Sequence, residues 1–474
     1  MNANLFSLLK THWSVAPDRQ FLVSSDGTEV TYRAIERRAG QLAAVLHDRG
    51  VRPGERVLAQ VTKSIDNVAL YLASLQLGAV YVPLNTAYTA HEVEFFVNDA
   101  EPALVVDDDE LARLGVEADS ATPMSTCTPR LADDLAAMVY TSGTTGRSKG
   151  AMLTHGNLAS NALTLHGAWR FTPGDVLLHI LPIYHVHGLF VALHTAMLNA
   201  STVLFCERFD VDAVLELLPE ASVMMGVPTH YIRLLDDPRL TSEHCTNMRL
   251  FTSGSAPMTA QVHDAFTART GHRILERYGM SETGMITSNP YDGDRVAGTV
   301  GFPLPGVRIR LVTDSGDVCG PGDVGTVQVQ GPNVFAGYWK LPEKTEAEHR
   351  DGWFVTGDVG TLDEDGRLTL EGRSGDMIIS GGLNVYPREI EMLIDDAPDV
   401  AESAVVGLPD SDLGERVEAF VVPCGSGSVD TADLEERLRE RLAGFKVPKA
   451  IHIIDALPRN SMGKVQKFAL RTEQ

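Results

Sequence analysis

Residues 56–84 constrain the architecture more than any other stretch. A β-branched run at 56–61 (R-V-L-A-Q-V) leads into an apolar helical stretch at 68–77 that stops at Gly78, and 79–84 (A-V-Y-V-P-L) then reads as a buried strand. Strands and helices taken in turn argue for α/β layers, because helices must cover the sheet that the strands build. The preceding segment agrees. Residues 30–50 form an amphipathic pattern with Ile35, Ala39, Leu42 and Leu46 on one face, Thr31 as a candidate N-cap and Gly50 as a stop.

A chain of 474 residues has room for roughly three domain-sized units. The acidic cluster Asp107, Asp108, Asp109 and Glu110, followed by a Ser/Thr/Pro-rich stretch at 121–129, predicts a surface linker over 106–134. Between 297 and 372 turn signals come quickly around short β-rich runs, which predicts a small barrel or sheet. Beyond Arg373 the pattern becomes a compact α+β unit. Strands are expected at 376–380, 401–407, 418–422 and 450–455, with helices at 387–395 and around Leu434, Leu438 and Leu442. The expected organisation is therefore a large N-terminal α/β domain with a β-barrel-like subdomain over 1–373, a hinge at 374–375, and a small mobile α+β domain over 376–474.

A formal charge of −23 repels nucleic-acid backbones and anionic membranes. An anion-binding site remains possible if it is built locally from lysine, arginine, backbone N–H groups or a metal. The cysteines Cys127, Cys206, Cys245, Cys319 and Cys424 are odd in number and widely spaced, so neither a disulfide framework nor a zinc site is indicated. No signal peptide or spanning segment is evident, and a cytoplasmic protein is expected.

The run 140–150 (Y-T-S-G-T-T-G-R-S-K-G) follows an apolar stretch at 135–139. Its glycines let backbone approach an anion, its hydroxyls and N–H groups donate to it, and Lys149 adds charge. The spacing is not that of a Walker A loop. Four further strings accompany it in order: 278–283 (Y-G-M-S-E-T), 353–358 (W-F-V-T-G-D), 372–391 (from G-R-S-G-D to Y-P-R-E-I-E) and 458–467 (P-R-N-S-M-G-K-V-Q-K). Together they resemble the adenylate-forming superfamily of acyl- and aryl-CoA synthetases, adenylation domains and luciferases, over nearly the whole chain.

That resemblance implies ATP, Mg²⁺ and CoA as cofactor and co-substrates, and a two-step reaction through an acyl-adenylate. It implies a nucleotide site made by Thr141, Ser142, Gly143, Thr144, Thr145, Gly146, Lys149, Ser255, Ala256, Pro257, Glu276, Arg277, Tyr278, Gly279, Met280, Ser281, Asp358 and Arg373. Glu282 would hold Mg²⁺, Asp358 would accept from the ribose hydroxyls, and Lys464 would bridge the acid and the α-phosphate. Between the steps the C-terminal domain would rotate, bringing Gly381 and Gly382 to CoA. Two departures stand out: Gly375 where the family's hinge is commonly Asp or Lys, and Ser281 where it usually has Thr.

The segment 182–188 (P-I-Y-H-V-H-G) resembles the element beside the family's acyl pocket, which implies a catalytic His185 and a substrate-binding His187. The segment 226–233 resembles the pocket lining of bacterial malonyl-CoA synthetases. It implies that Arg233 meets the distal carboxylate of malonate or methylmalonate by a forked, charge-assisted pair. The alternatives are a ligase for another short, fatty or aryl acid, a stand-alone adenylation enzyme loading a carrier protein, and a catalytically dead nucleotide-binding protein. The sequence leaves the oligomeric state open.

Overall fold

The structure, a computed structural model, describes all residues except 1, 143–147, 256–257, 259, 314, 374–377, 386, 425–428, 459–464, 466 and 472–474; for 142, 261, 371–373, 384, 388, 392 and 468 it describes the backbone only. The chain groups into two compact units.

The first unit comprises Met1–Thr86, Ala100–Val139 and Gly150–Gly372. Its largest sheet has nine strands, in the order Phe302–Pro303, Gly284–Ser288, Leu275–Met280, Leu250–Ser253, Val223–Gly226, Val176–His179, Thr202–Phe205, Gln20–Ser24 and Glu29–Thr31. The central strands run parallel and are buried on both faces, as helix-covered parallel sheets are. At Leu275–Met280 the sheet changes hand of pairing: this strand is parallel to Leu250–Ser253 and antiparallel to Gly284–Ser288.

The alternation at 56–84 folds as read. Arg56–Ala59 and Val80–Pro83 pair in parallel inside a six-stranded sheet, joined by the helix Ile65–Leu77. That helix is capped by the Ser64 side chain at its start and ends on Gly78 in the left-handed region, φ 78°. The helix Tyr32–Asp48 likewise accepts a cap from Thr31, and its predicted apolar face is buried. The turn-rich region gives a five-stranded sheet that includes Arg308–Val312, Val324–Gln330 and Trp353–Leu362.

The predicted linker over 106–134 is corrected. Asp108–Ser120 is a helix, and Asp107 is its N-cap, accepting from the Glu110 backbone N–H at 2.7 Å. The acidic run belongs to the first turn, where carboxylates complement the helix dipole. The stretch after it carries no regular element but is pinned: Gln76 donates to the Met124 carbonyl at 2.7 Å, and the Thr128 N–H donates to the Gln76 carbonyl at 2.9 Å.

The second unit comprises Ala87–Asp99, Tyr140–Lys149 and Arg373–Gln474. Its sheet runs Leu383–Val385, Ile378–Ser380, Gly414–Pro423 and Val400–Asp410, with Ala450–Ile453 parallel to Gly414–Pro423. Buried Lys446 pairs with Glu92 at 3.0 Å and Glu389 at 2.9 Å, and its ammonium lies 4.8 Å from the centre of the Tyr88 ring. Removing the cation would strand two carboxylates in a poorly solvated place. Lys446→Met should therefore cost roughly 3–5 kcal/mol, seen as a lower thermal unfolding midpoint; an unchanged midpoint would show that the carboxylates find water.

Candidate active site

The hairpin of Leu275–Met280 and Gly284–Ser288 carries six of the expected site residues and presents Glu282 from its three-residue connection. Although it sits in a loop, Glu282 is only 5% exposed. Three contacts hold that loop from outside the hairpin. The Phe335 N–H donates to the Glu282 carbonyl at 2.8 Å, Asn333 donates to the Thr283 carbonyl at 2.8 Å, and the Tyr338 hydroxyl donates to Glu282 Oε1 at 3.1 Å.

Alternation along Leu275–Met280 sends neighbours to opposite faces of the sheet. Glu276 is buried and accepts from the Gly298 N–H at 2.9 Å, and burial pushes its carboxyl up to about 7. Tyr278 donates its hydroxyl to Asp358 Oδ2, so two residues expected at the nucleotide lie together although 80 positions apart. Asp358 is further set by its backbone N–H, which donates to Thr356 Oγ1 at 3.1 Å.

Arg277 points the other way, into a cluster of basic side chains. It is 2% exposed, and its Nε and Nη2 have no hydrogen-bond partner among the described residues. Burial lowers its guanidinium to about 9. Desolvation also lowers His185, to about 4, and His187, well below the ordinary imidazole range; the positive field of Arg277 adds to both. His187 feels His230 in turn, and His230, stacked on Phe209 at 4.3 Å, feels Arg233. His187 opens a π-helical segment, His187–Leu193, a distortion that often marks functional sites. Its Nδ1 lies 3.5 Å from Ser255 Oγ, and its Nε2 is buried without a partner among the described residues. Ser255 is held in the left-handed region, φ 69°, which non-glycine residues rarely adopt.

Arg233 itself lies on the helix Pro228–Asp236 and is exposed, so burial distinguishes it from Arg277. In the second unit, Thr141 and the backbone of Ser142 end the strand Leu135–Ser142, and Lys149 is buried in Ser148–Thr154. The backbone of Arg373 ends Leu368–Arg373. Gly381 and Gly382, φ 58° and 78°, form a two-residue hairpin between Ile378–Ser380 and Leu383–Val385. Such turns need positive φ at both positions, which alone accounts for both glycines. Gly143, Thr144, Thr145, Gly146, Ala256, Pro257, Gly375 and Lys464 lie outside the described residues.

The family model described as AMP-binding enzyme matches residues 9–339, and the AMP-binding enzyme C-terminal domain matches 389–464. The chain belongs to the AMP-binding enzyme family. Among solved AMP-binding enzymes it is similar to ATP-bound MatB from Rhodopseudomonas palustris, 50% identical with a TM-score of 0.77, covering 99% of this chain and 98% of that one. Among curated relatives it is 35% identical to a feruloyl-CoA synthase from Amycolatopsis, over 95% of each chain. It is also 35% identical to the mitochondrial malonate–CoA ligase of Mus musculus, over 96% of this chain and 88% of that one. No helix among the described residues is long and apolar enough to cross a membrane.

Three residues of this AMP-binding enzyme's site escaped the sequence reading. Tyr338 and His230 carry no spacing signal of their own. Gly254, in the run S-G-S at 253–255, could have been suspected from its position before Ser255. A Cβ on Gly254 would lie 2.4 Å from Arg277 Nη1 and 2.5 Å from its Cζ, so the guanidinium packs where only glycine leaves room. Gly254→Ala should displace it, lowering turnover by on the order of tenfold to a hundredfold and stability by roughly 1–3 kcal/mol. Wild-type kinetics in that variant would mean that Arg277 has nothing to position.

A second expectation concerns pH. The folded carboxyl of Glu276 is raised to about 7 from 4.5, so the folded state keeps a proton that the unfolded chain has released. The resulting stabilisation is complete below the lower value and is lost as pH rises through the upper one. Glu276→Gln retains it, so its unfolding midpoint should fall less than the wild type's between about pH 5 and about pH 8. Parallel profiles would count against a protonated Glu276.

Proposed function

We propose that the protein is an acid–CoA ligase whose acid is malonate, with methylmalonate as a close alternative. The observation that carries the choice of acid is Arg277, a buried guanidinium with two nitrogens unpartnered among the described residues and basic neighbours on either side. An uncompensated buried cation costs several kcal/mol. A dicarboxylate supplies the missing anion, whereas a monoacid spends its only carboxylate on the chemistry. Among the curated relatives, a malonate–CoA ligase and a feruloyl-CoA synthase are equally similar in sequence, at 35%.

In this reading one carboxylate oxygen of malonate attacks the α-phosphorus of ATP, and the bond from that phosphorus to the pyrophosphate oxygen breaks. The CoA sulfur then attacks the acyl carbon, the bond to AMP breaks, and the thiol proton is released. The barrier to the first step is the approach of an anion to a polyanion, so fixed positive charge and alignment carry most of the catalysis. The 141–149 loop and Lys464 would supply charge to the phosphates. Tyr278 would set Asp358 for the ribose hydroxyls, and His185 and His187, held neutral by burial, would line the acid's path. Glu282 fits Mg²⁺: it is a single buried carboxylate, and this ion takes one or two carboxylates and fills its remaining positions with water and substrate phosphate. Bound there, Mg²⁺ would neutralise phosphate charge.

Pyrophosphate release from ATP over a panel of malonate, methylmalonate, acetate, octanoate and 4-coumarate, with the thioester confirmed by mass, tests the assignment. Turnover led by malonate is expected, and turnover led by a monoacid would overturn the choice of acid. Arg277→Ala should lower kcat/KM for malonate by roughly a hundredfold or more, in line with about 3 kcal/mol for an unpaired charge–charge contact, and Arg233→Ala by less.

A further inference from the structure

We infer that Tyr338 is a positioning residue for the Glu282 carboxylate and that Glu348 anchors Tyr338; the inference rests on the ATP and Mg²⁺ part of the proposed reaction and not on the choice of acid. Tyr338 is 3% exposed and cannot readily swing away. Its backbone is paired with Ala151, its N–H donates to Thr345 Oγ1 at 2.8 Å, and its ring packs edge-on against Phe335 with centroids 4.8 Å apart. From that fixed seat the hydroxyl reaches two carboxylates, Glu348 Oε2 at 2.6 Å and Glu282 Oε1 at 3.1 Å. Glu348 is held in turn by Lys344, 2.8 Å away and one helical turn earlier.

The result is a row of side chains running Lys344, Glu348, Tyr338, Glu282. A phenol has one hydrogen, and here two carboxylate oxygens compete for it, so neither contact reaches full strength while both groups are anionic. The row therefore fixes which Glu282 oxygen is turned toward Tyr338, and with it how the carboxylate is presented to a cation. Partners of this outer kind typically contribute ten- to a hundredfold to metal affinity.

The test is ATP binding by calorimetry on the full chain, with Mg²⁺ titrated and with the metal chelated. In Tyr338→Phe, the Mg²⁺ concentration for half-maximal ATP binding should rise roughly tenfold, while ATP binding under chelation and KM for the acid stay at wild-type values. Glu348→Gln, at a partly exposed position, should move the Mg²⁺ requirement the same way by a smaller factor, and it serves if Tyr338→Phe folds poorly. An unchanged Mg²⁺ requirement in both variants would overturn the inference. So would an equal loss of ATP binding with and without the metal, which would mark a structural role, or wild-type binding that ignores Mg²⁺. Since no acid is present in the titration, an error in the malonate assignment leaves this result readable.

Discussion

A buried guanidinium without an anion is the interaction on which the rest of the site depends. Arg277 loses its water to the sheet and receives no carboxylate from the described chain in return. Its neighbours His185 and His187 are basic as well. Folding tolerates this arrangement because the imidazoles are held neutral by the same burial, which limits the repulsion to what one charged group feels. The site is thus preset for an anion before any arrives, and a chain of net charge −23 keeps its positive potential where solvent cannot screen it.

The strand Leu275–Met280 is what makes such a site compatible with the proposed nucleotide site next door. At this strand the nine-stranded sheet passes from parallel to antiparallel pairing, and the return strand leaves a short connection that projects Glu282. Strand alternation then separates functions that adjacent residues could not otherwise serve: Tyr278 meets Asp358, while Arg277 meets the histidines. The first unit supplies the rigidity for this. The hairpin is braced by Asn333, Phe335 and Tyr338 from a segment some fifty residues later in the chain, so tertiary contacts add to the turn's own bond from the Thr283 N–H to the Met280 carbonyl.

Much of the fold was legible because it is written in local periodicity. The helix Tyr32–Asp48 begins at its Thr31 cap, and the one after it stops at Gly78 for the reason glycine usually stops helices. The misreading of 106–134 has an equally local cause. Asp107–Glu110 looked like a solvated loop because acidic residues are common in both loops and first helical turns, and the apolar face that decides between them is short, formed by Leu111, Leu114 and Ala118. Gly381 and Gly382, singled out for CoA, turn out to be demanded by a hairpin whatever else they touch.

By itself the sequence determined the α/β class, a small α+β unit toward the C-terminus and the order of the family's strings, because each depends on residues within a few positions of one another. Tertiary structure alone decided which arginine is starved of partners. Arg233 and Arg277 are equally cationic in the sequence, and only the packing of Gly254, the histidines and the central sheet removes water from one and leaves the other exposed. The same holds for Tyr338. Nothing within its own segment reveals that its hydroxyl meets Glu282, because that contact spans 56 residues and exists only once two separately formed strands have been brought together.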